Sequence, residues 1–312
     1  MSIEALAIGE IGIDIIATGF NKIPKSWSEP EKLSNIGIYV AGAAGYFIEC
    51  LSRLGIKCGI IGKIGEDEWG QIIKRGLEKE KVLTKYLIID KNKATEVTLI
   101  LIFKNKKKIQ FVTPIPQLEF NEINFEIFKG IKLLHFSGYL LLPSLWGKPA
   151  IEIFKIAKEN KALTSLNPQA SITGDWITPF KNNLLEYVDV LTLDKEEARK
   201  ITKQKNLRKC IKKLHEMGSK IIAIKAGKEG CILSNGKEIL KIPSYKVNVV
   251  CTVGAGDAFD AAFLYALLNN WKLEYAGKFA NAAAALSTTK MDCKEGFENI
   301  EQIKDFMKKY EI

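Results

Sequence analysis

Cys251-Thr252-Val253-Gly254-Ala255-Gly256-Asp257-Ala258-Phe259 is the most informative stretch of the chain. It follows an apolar run at Val247–Val250, which reads as a strand, and it opens a long apolar helix over 258–268. A Gly-Ala-Gly turn at a helix start leaves backbone N–H groups bare and aimed at one point. The helix dipole adds positive potential there, so the turn is a cradle for an anion. Asp257 in the first helical turn is out of place if anion binding is its only task. It makes sense as a general base beside the cradle, taking a proton from a hydroxyl while the N–H groups hold the phosphoryl group in transfer. The dipole alone also favours an acid in a first turn, so a purely structural reading stays open.

Along the rest of the chain, short apolar strands alternate with helical patterns. Residues 132–136, 163–166, 188–193 and 220–224 are strand-like, and helices are expected at 148–159, 195–202, 206–217, 255–268 and 273–288. Nearer the N-terminus, 3–8 and 58–61 read as strands, and 41–54 and 66–80 as helices. The alternation predicts an α/β fold with a central, mostly parallel sheet covered by helices on both faces. Ligands in such folds sit beyond the carboxyl ends of the strands.

Two further segments, 11–20 and 95–115, have a different character. Residues 96–103 and 108–113 are strand-like runs around Asn105-Lys106-Lys107, a hairpin. In the first run Val97, Leu99, Leu101 and Phe103 share one face and Ile100 and Ile102 the other, so both faces want cover. This is the pattern of a small β-sheet lid standing off the main sheet, and its two-sided apolar strands suggest pairing with the lid of a second subunit. The expected organisation is a single domain over 1–312.

Composition narrows the function classes. The chain has 312 residues, is 47% hydrophobic and 26% charged, and carries a net charge of +10. That is ordinary globular composition. No stretch reaches the ~18–20 uncharged apolar residues of a membrane span, and Met1-Ser2-Ile3-Glu4 does not open a secretory signal. The basic residues are nearly all Lys, with Arg only at Arg53, Arg75, Arg199 and Arg208, and they are spread over the whole length apart from the short run Lys106-Lys107-Lys108. That reads as a solvated surface rather than a nucleic-acid footprint. The six cysteines show neither C-x-x-C pairing nor metal-ligand spacing with His135 or His215, which fits reduced thiols in the cytoplasm and leaves both histidines structural.

Several motifs in order resemble the PfkB, or ribokinase-like, family of carbohydrate and nucleoside kinases. Thr252 to Phe259 match the family's D-T-x-G-A-G-D-x-F after its first residue. Gly9-Glu10 and Asp14 match the Gly-Glu and downstream Asp after the first strand. Ala41-Gly42-Ala43-Ala44-Gly45-Tyr46 leading to Arg53-Leu54-Gly55 matches G-G-x-x-x-N before a helix ending R-L-G. Gly62 to Gly70 match G-x-[IV]-G-x-D-x-x-G. Asp194-Lys195-Glu196-Glu197 stands for N-x-x-E, Lys225 to Gly230 for [TK]-x-G-x-x-G, and Phe279 to Leu286 for F-A-N-A-A-A-A-L.

The resemblance implies a ribokinase-like fold and ATP-dependent transfer of a phosphoryl group to an alcohol of a small sugar or polyol, with Mg²⁺. It implies Asp257 as catalytic base and Gly254, Ala255 and Gly256 as the anion hole. Asp14, Gly42 and Tyr46 fall at substrate-binding positions. Asp194, Lys225, Ala226, Gly227, Gly230 and Asn281 fall at ATP-binding positions, and Glu197 at the position that organises Mg²⁺ through water. Three departures stand out. Tyr46 replaces the Asn of the glycine motif, Asp194 replaces the Asn of N-x-x-E, and Cys251 replaces an Asp that helps hold K⁺ in K⁺-activated relatives. A thiol is a poor ligand for such an ion, so K⁺ activation is not expected. Tyr46 could stack on a base or a sugar face, which keeps a nucleoside kinase as the alternative. A non-catalytic ligand-binding relative is disfavoured by retention of Gly254, Gly256 and Asp257. An NAD-binding enzyme is excluded because no G-x-G-x-x-G follows the first strand.

Overall fold

The computed structural model describes residues 3–20, 32–105 and 107–310. Met1, Ser2 and the hairpin residue Lys106 therefore lie outside the described residues. The chain opens with β1 (Ala5–Gly9), β2 (Gly12–Phe20), β3 (Asn35–Ala41), α1 (Ala43–Arg53), β4 (Cys58–Ile61), β5 (Lys63–Gly65) and α2 (Glu68–Lys79). It continues with β6 (Ile88–Asp90), β7 (Glu96–Phe103), β8 (Lys108–Val112), β9 (Leu133–Ser137), α3 (Lys148–Glu159), β10 (Leu163–Asn167) and β11 (Val190–Asp194). Then come α4 (Lys195–Thr202), α5 (Leu207–Glu216), β12 (Ile221–Lys225), β13 (Cys231–Ser234), β14 (Ile239–Ile242), α6 (Ala255–Leu268), α7 (Leu273–Ser287) and α8 (Ile300–Lys308).

Eight strands form the main sheet in the order β14-β13-β12-β11-β10-β9-β1-β4. Pairing is parallel from β4 to β12 and antiparallel at the β13–β14 edge. Its strands are continuous apolar runs such as Leu133-Leu134 and Ile222-Ala223-Ile224, because helices cover both faces. The two faces bury separate apolar clusters. Helix α6 packs between α1 and α7, with Ala258, Ala261, Ala262 and Phe263 fully buried. Small alanines let these helices approach closely, and the price is that α6 has almost no solvent face.

The expected lid segments come together in a second sheet of order β3-β2-β7-β8. β2 runs parallel to β7, and β7–β8 is the antiparallel hairpin. β3 has no strong strand signal in sequence, because its first five residues are only half-covered or exposed. On β7 Glu96, Thr98, Ile100 and Ile102 are buried on one face, while on the other Phe103 is buried and Leu99 is 37% exposed. The second face is covered only in part: Ile13, Ala17 and Val40 are buried on it, while Ile36, Ile38, Leu99 and Phe111 remain exposed.

The run at Val247–Val250 is not a strand. Residues 243–250 are irregular. β14 is an edge strand, and the chain must leave that edge and travel back to α6. The N–H groups of Val250 and Cys251 both donate to the Thr288 carbonyl at the end of α7, at 2.7 and 3.1 Å, instead of extending a ladder.

Candidate active site

The C-terminal ends of β1, β9, β10, β11 and β12 deliver Gly9, Ser137, Asn167, Asp194 and Lys225 to one edge of the main sheet. The N-terminus of α6 points at the same edge. Gly254 is its N-cap with φ 74°, a left-handed value that glycine adopts without strain. A Cβ there would also strike the Cys293 sulfur at 2.5 Å. The N–H groups of Asp257 and Ala258 turn back to the Gly254 carbonyl at 3.1 and 2.9 Å, and that of Ala255 to the Thr252 carbonyl at 3.4 Å. Gly254, Ala255 and Gly256 thus form the turn at a helix N-terminus, as the sequence indicated.

Asp257 is buried in the first turn of α6. Gln169, in the loop after β10, donates to its Oδ1 at 3.2 Å. Burial lifts its pKa to about 8, against the pull of Lys225, and Asp260 adds to the rise. The Lys225 ammonium lies beside the turn, since a Cβ on Gly256 would meet its Nζ at 3.4 Å. That ammonium is paired with Asp260 at 2.9 Å. Burial alone would lower its pKa, but Asp260, Glu197 and Asp257 outweigh burial and raise it. A buried carboxyl, a fixed cation and a helix N-terminus therefore converge at one point, an arrangement suited to in-line transfer of a phosphoryl group to a hydroxyl.

On the lid side, Asp14 sits in the middle of β2, opposite Tyr39 of β3 and Thr98 of β7. Burial raises its pKa to about 7. Tyr46 on α1 donates to Asp14 Oδ2 at 2.6 Å, and its ring lies against Gly254, 3.2 Å from where a Cβ would stand. Tyr46 is 4% exposed, so it presents no open ring face for stacking on a base. Gly42 has φ 85°, and a Cβ on it would come within 2.6 Å of the Ile11 backbone. Its need for glycine thus comes from the chain crossing β1–β2. Next to it Glu10 caps α1, its Oε2 accepting from Ala43 N at 2.7 Å. Burial and the nearby Glu96 carboxylate push the Glu10 pKa well up.

On the other side, Asp194 and Glu197 close a reciprocal capping box at the start of α4. Asp194 Oδ1 accepts from the N–H groups of Glu196 and Glu197, and Glu197 Oε2 accepts from Asp194 N at 2.7 Å. Each acid keeps a second oxygen. Burial raises Glu197 to about 7, opposed by Lys225. No group of three acids, histidines or cysteines gathers to hold a metal among the described residues. Such sparse hard oxygen donors fit a cation that rides on phosphates and keeps much of its own hydration shell. Lys225 to Gly230 make the tight turn from β12 to β13, closed by Ala226 N to Gly230 O at 2.8 Å. Gly230 has φ 92°, and a Cβ there would collide with the Ile242 carbonyl. Asn281 on α7 spends its Nδ2 on the carbonyls of Ile242 and Pro243, both at 3.1 Å, and so pins the loop after β14.

The sequence matches the pfkB family carbohydrate kinase model over residues 3–300. The chain belongs to the pfkB family of carbohydrate kinases. It is 28% identical over 321 residues to the 5-dehydro-2-deoxygluconokinase of Clostridium beijerinckii, covering 98% of this chain and 93% of that protein. The enzyme of the same name from Geobacillus kaustophilus is 24% identical over 329 residues, 99% of this chain and 94% of its own. Among solved structures, ribokinase of Arabidopsis thaliana complexed with ribose and ATP superposes with a TM-score of 0.82 at 20% identity, over 99% of both chains. An Escherichia coli protein in complex with ATP and Mg²⁺ gives 0.83 at 24% identity, over 99% of this chain and 100% of that one. At these identities the structural likeness establishes the ribokinase fold.

Four residues of this pfkB kinase site carry no motif and were not singled out in the sequence. Asn167 ends β10 and Gln169 follows it, Glu96 opens β7, and Asp260 lies one turn beyond Asp257. A signal existed for Asp260, which is a charge in the otherwise apolar helix run of 258–268. Asp67, inside the glycine motif, caps α2 and also accepts from Thr95 N at 2.7 Å and Thr95 Oγ1 at 2.6 Å. That motif therefore ties α2 to the residue just before β7. His135 is fully buried and bonded to Ser165 at 3.0 Å, and His215 is bonded to the Ser219 carbonyl and Ser234, so both are structural.

Proposed function

We propose that this carbohydrate kinase transfers the γ-phosphoryl group of ATP, as its Mg²⁺ complex, to an alcohol group of a small sugar or polyol. Asp257 takes the proton of the attacking hydroxyl. That oxygen bonds to the γ-phosphorus, the bond from phosphorus to the β,γ-bridging oxygen breaks, and its electron pair leaves with ADP. Gly254, Ala255 and Gly256 supply donors to the phosphoryl oxygens in flight, and Lys225 supplies positive charge beside them. Bound Mg²⁺ supplies charge neutralisation on the phosphates, with Asp194 and Glu197 as the oxygen ligands nearest to hand through water. Ala226, Gly227, Gly230 and Asn281 border the nucleotide. The observation that carries this reading is the meeting of Asp257, the α6 N-terminus and Lys225 at one end of the sheet.

Asp14 and Tyr46 hold sugar hydroxyls at the floor of the second sheet, which acts as the lid of a single catalytic unit. Gly42 keeps the backbone close to that floor. The exposed residues Ile36, Ile38, Leu99 and Phe111 give the outer face of this sheet the character of a homodimer interface. No helix among the described residues is long and apolar enough to cross a membrane. The free thiols of all six cysteines suit the reducing cytoplasm. The scattered lysines speak for solvation rather than a nucleic-acid partner. ADP release should be measured against 5-dehydro-2-deoxygluconate, ribose, fructose, other polyols and a set of nucleosides. Turnover on a sugar or polyol is expected, and turnover on nucleosides alone would overturn the substrate class.

A further inference from the structure

We infer that Asp260 is the positioning residue of this site: it anchors the Lys225 ammonium against the wall of the anion cradle so that the transferring phosphoryl group meets a fixed positive charge. The inference rests on the reading of Asp257 as base and extends it to a residue outside the family-like motifs.

The argument starts from burial. Asp260 is fully buried on an apolar helix, where an ionised carboxylate persists only if it is paired. Two donors reach its Oδ2, Lys225 Nζ at 2.9 Å from the end of β12 and Asn167 Nδ2 at 2.5 Å from the end of β10. Those strands flank β11 on either side, so Asp260 gathers two strand ends under the first turns of α6. Its Oδ1 is buried with no hydrogen-bond partner, and the charge is answered on one oxygen only. The partnered oxygen faces the two strand ends. It is aimed at Lys225, whose sole ion pair among the described residues is with Asp260. The ammonium it holds lies against Gly256.

The placement also governs the base. Asp257 faces Lys225 from β12, Asp260 from its own helix, Glu197 from α4, the neutral amide of Gln169 from the loop after β10, and the Cys293 thiol from the segment before α8. While Asp260 holds Lys225, the ammonium acts on Asp257 only through its charge and is not paired with it. In Asp260→Asn, Lys225 is released to pair with Asp257, which lowers the proton affinity of that carboxyl and immobilises it.

The test is Asp260→Asn, which keeps the shape of the side chain. Turnover is expected to fall about 10- to 100-fold with the sugar KM changed less than about twofold. The acid limb of the kcat/KM profile is expected to move to lower pH by about half a unit or more. An unmoved acid limb in a folded variant, whatever its turnover, would overturn the inference, because a merely structural role does not shift it. Asp260→Ser, smaller and uncharged, takes over if the Asn variant fails to fold, with the same shift expected. A double-mutant cycle with Lys225→Met is independent of the assignment of Asp257. In the Lys225→Met background, Asp260→Asn is expected to cost less than about twofold, and a loss as large as in the parent would overturn the coupling. Asp257→Asn, measured alongside, tests the base itself: full turnover there would sink the base while the cycle still judges Asp260.

Discussion

The hydroxyl of Tyr46 donates to Oδ2 of Asp14 across 2.6 Å, and the Tyr46 ring rests against Gly254 at the mouth of α6. One side chain thus spans from β2, which carries Asp14, to the turn at the start of α6. The second sheet and the start of α6 meet on the same residue of α1.

Removal of that hydroxyl gives the first prediction. Asp14 is lifted to about 7 by burial, and the Tyr46 hydrogen bond holds it down. In Tyr46→Phe the carboxyl should rise further, so tight sugar binding that needs the ionised form should appear only at higher pH. The sugar KM is expected to rise about 3- to 30-fold at neutral pH, in line with loss of a bond to a charged group. The pH dependence of KM for parent and variant checks it; an unchanged profile would place Asp14 away from the sugar.

Asp257→Asn should reduce turnover by about 10²–10⁴-fold with ATP binding retained. In the parent, kcat/KM should climb as pH rises toward about 8, where the buried carboxyl of the resting protein loses its proton. Steady-state rates between pH 6 and 9, with nucleotide binding by calorimetry, decide it. Near-parental turnover in the variant would refute the assignment.

The same carboxyl sets a stability prediction. Asp257 holds its proton to about pH 8 in the folded state and to only ~3.9 when unfolded. Between those values the native state binds more protons, so this group's stabilisation is full below about pH 4 and is lost as pH rises to about 8. Glu197 and Asp14, both raised to about 7, act in the same direction. Asp189 acts oppositely: Lys158 and Lys220 overcome its burial and hold it near 2, so its contribution is lost as pH falls from ~4 to about 2. Asp257→Asn should therefore be more stable than the parent at pH 8, by on the order of a few kcal/mol, with much of the difference gone at pH 5. Urea unfolding at both pH values measures it.

Cys251 carries a prediction about monovalent ions. Its thiol is buried, which raises its pKa, and its sulfur lies 3.5 Å from Val253 N. A neutral thiol offers neither charge nor hard oxygen to K⁺. Turnover at saturating ATP and sugar should change little when K⁺ replaces a bulky organic cation at constant ionic strength. A tenfold rise would show that backbone carbonyls suffice to hold the ion.

The lid face should mediate a homodimer. Phe111 is 58% exposed on the hairpin strand β8 and Ile38 is 51% exposed on β3. Ile38→Lys with Phe111→Asp should convert a dimer to a monomer in light scattering at micromolar concentration. A parent that is already monomeric would remove the interface.

Local sequence determined a great deal here. The Gly254-Ala255-Gly256-Asp257 turn, the starts of α3, α4 and α6, and the strands β4 and β7 follow from residue periodicity, capping chemistry and glycine's tolerance of left-handed backbone, all of which act over a few residues. So does the existence of the second sheet, because the β7–β8 hairpin is a local structure. What only the tertiary structure decided is every relation that joins distant segments. Asp260 and Asn167 are 93 residues apart, and nothing within reach of either in sequence marks them as partners. The irregular course of 243–250 was likewise set by the edge position of β14 and the end of α7, although Val247–Val250 has strand composition. Glu10, Asp14 and Glu96 acquire raised proton affinities only because folding withdraws them from water together. Burial and long-range charge are properties of the packed chain, and a side chain's type and spacing carry no record of them.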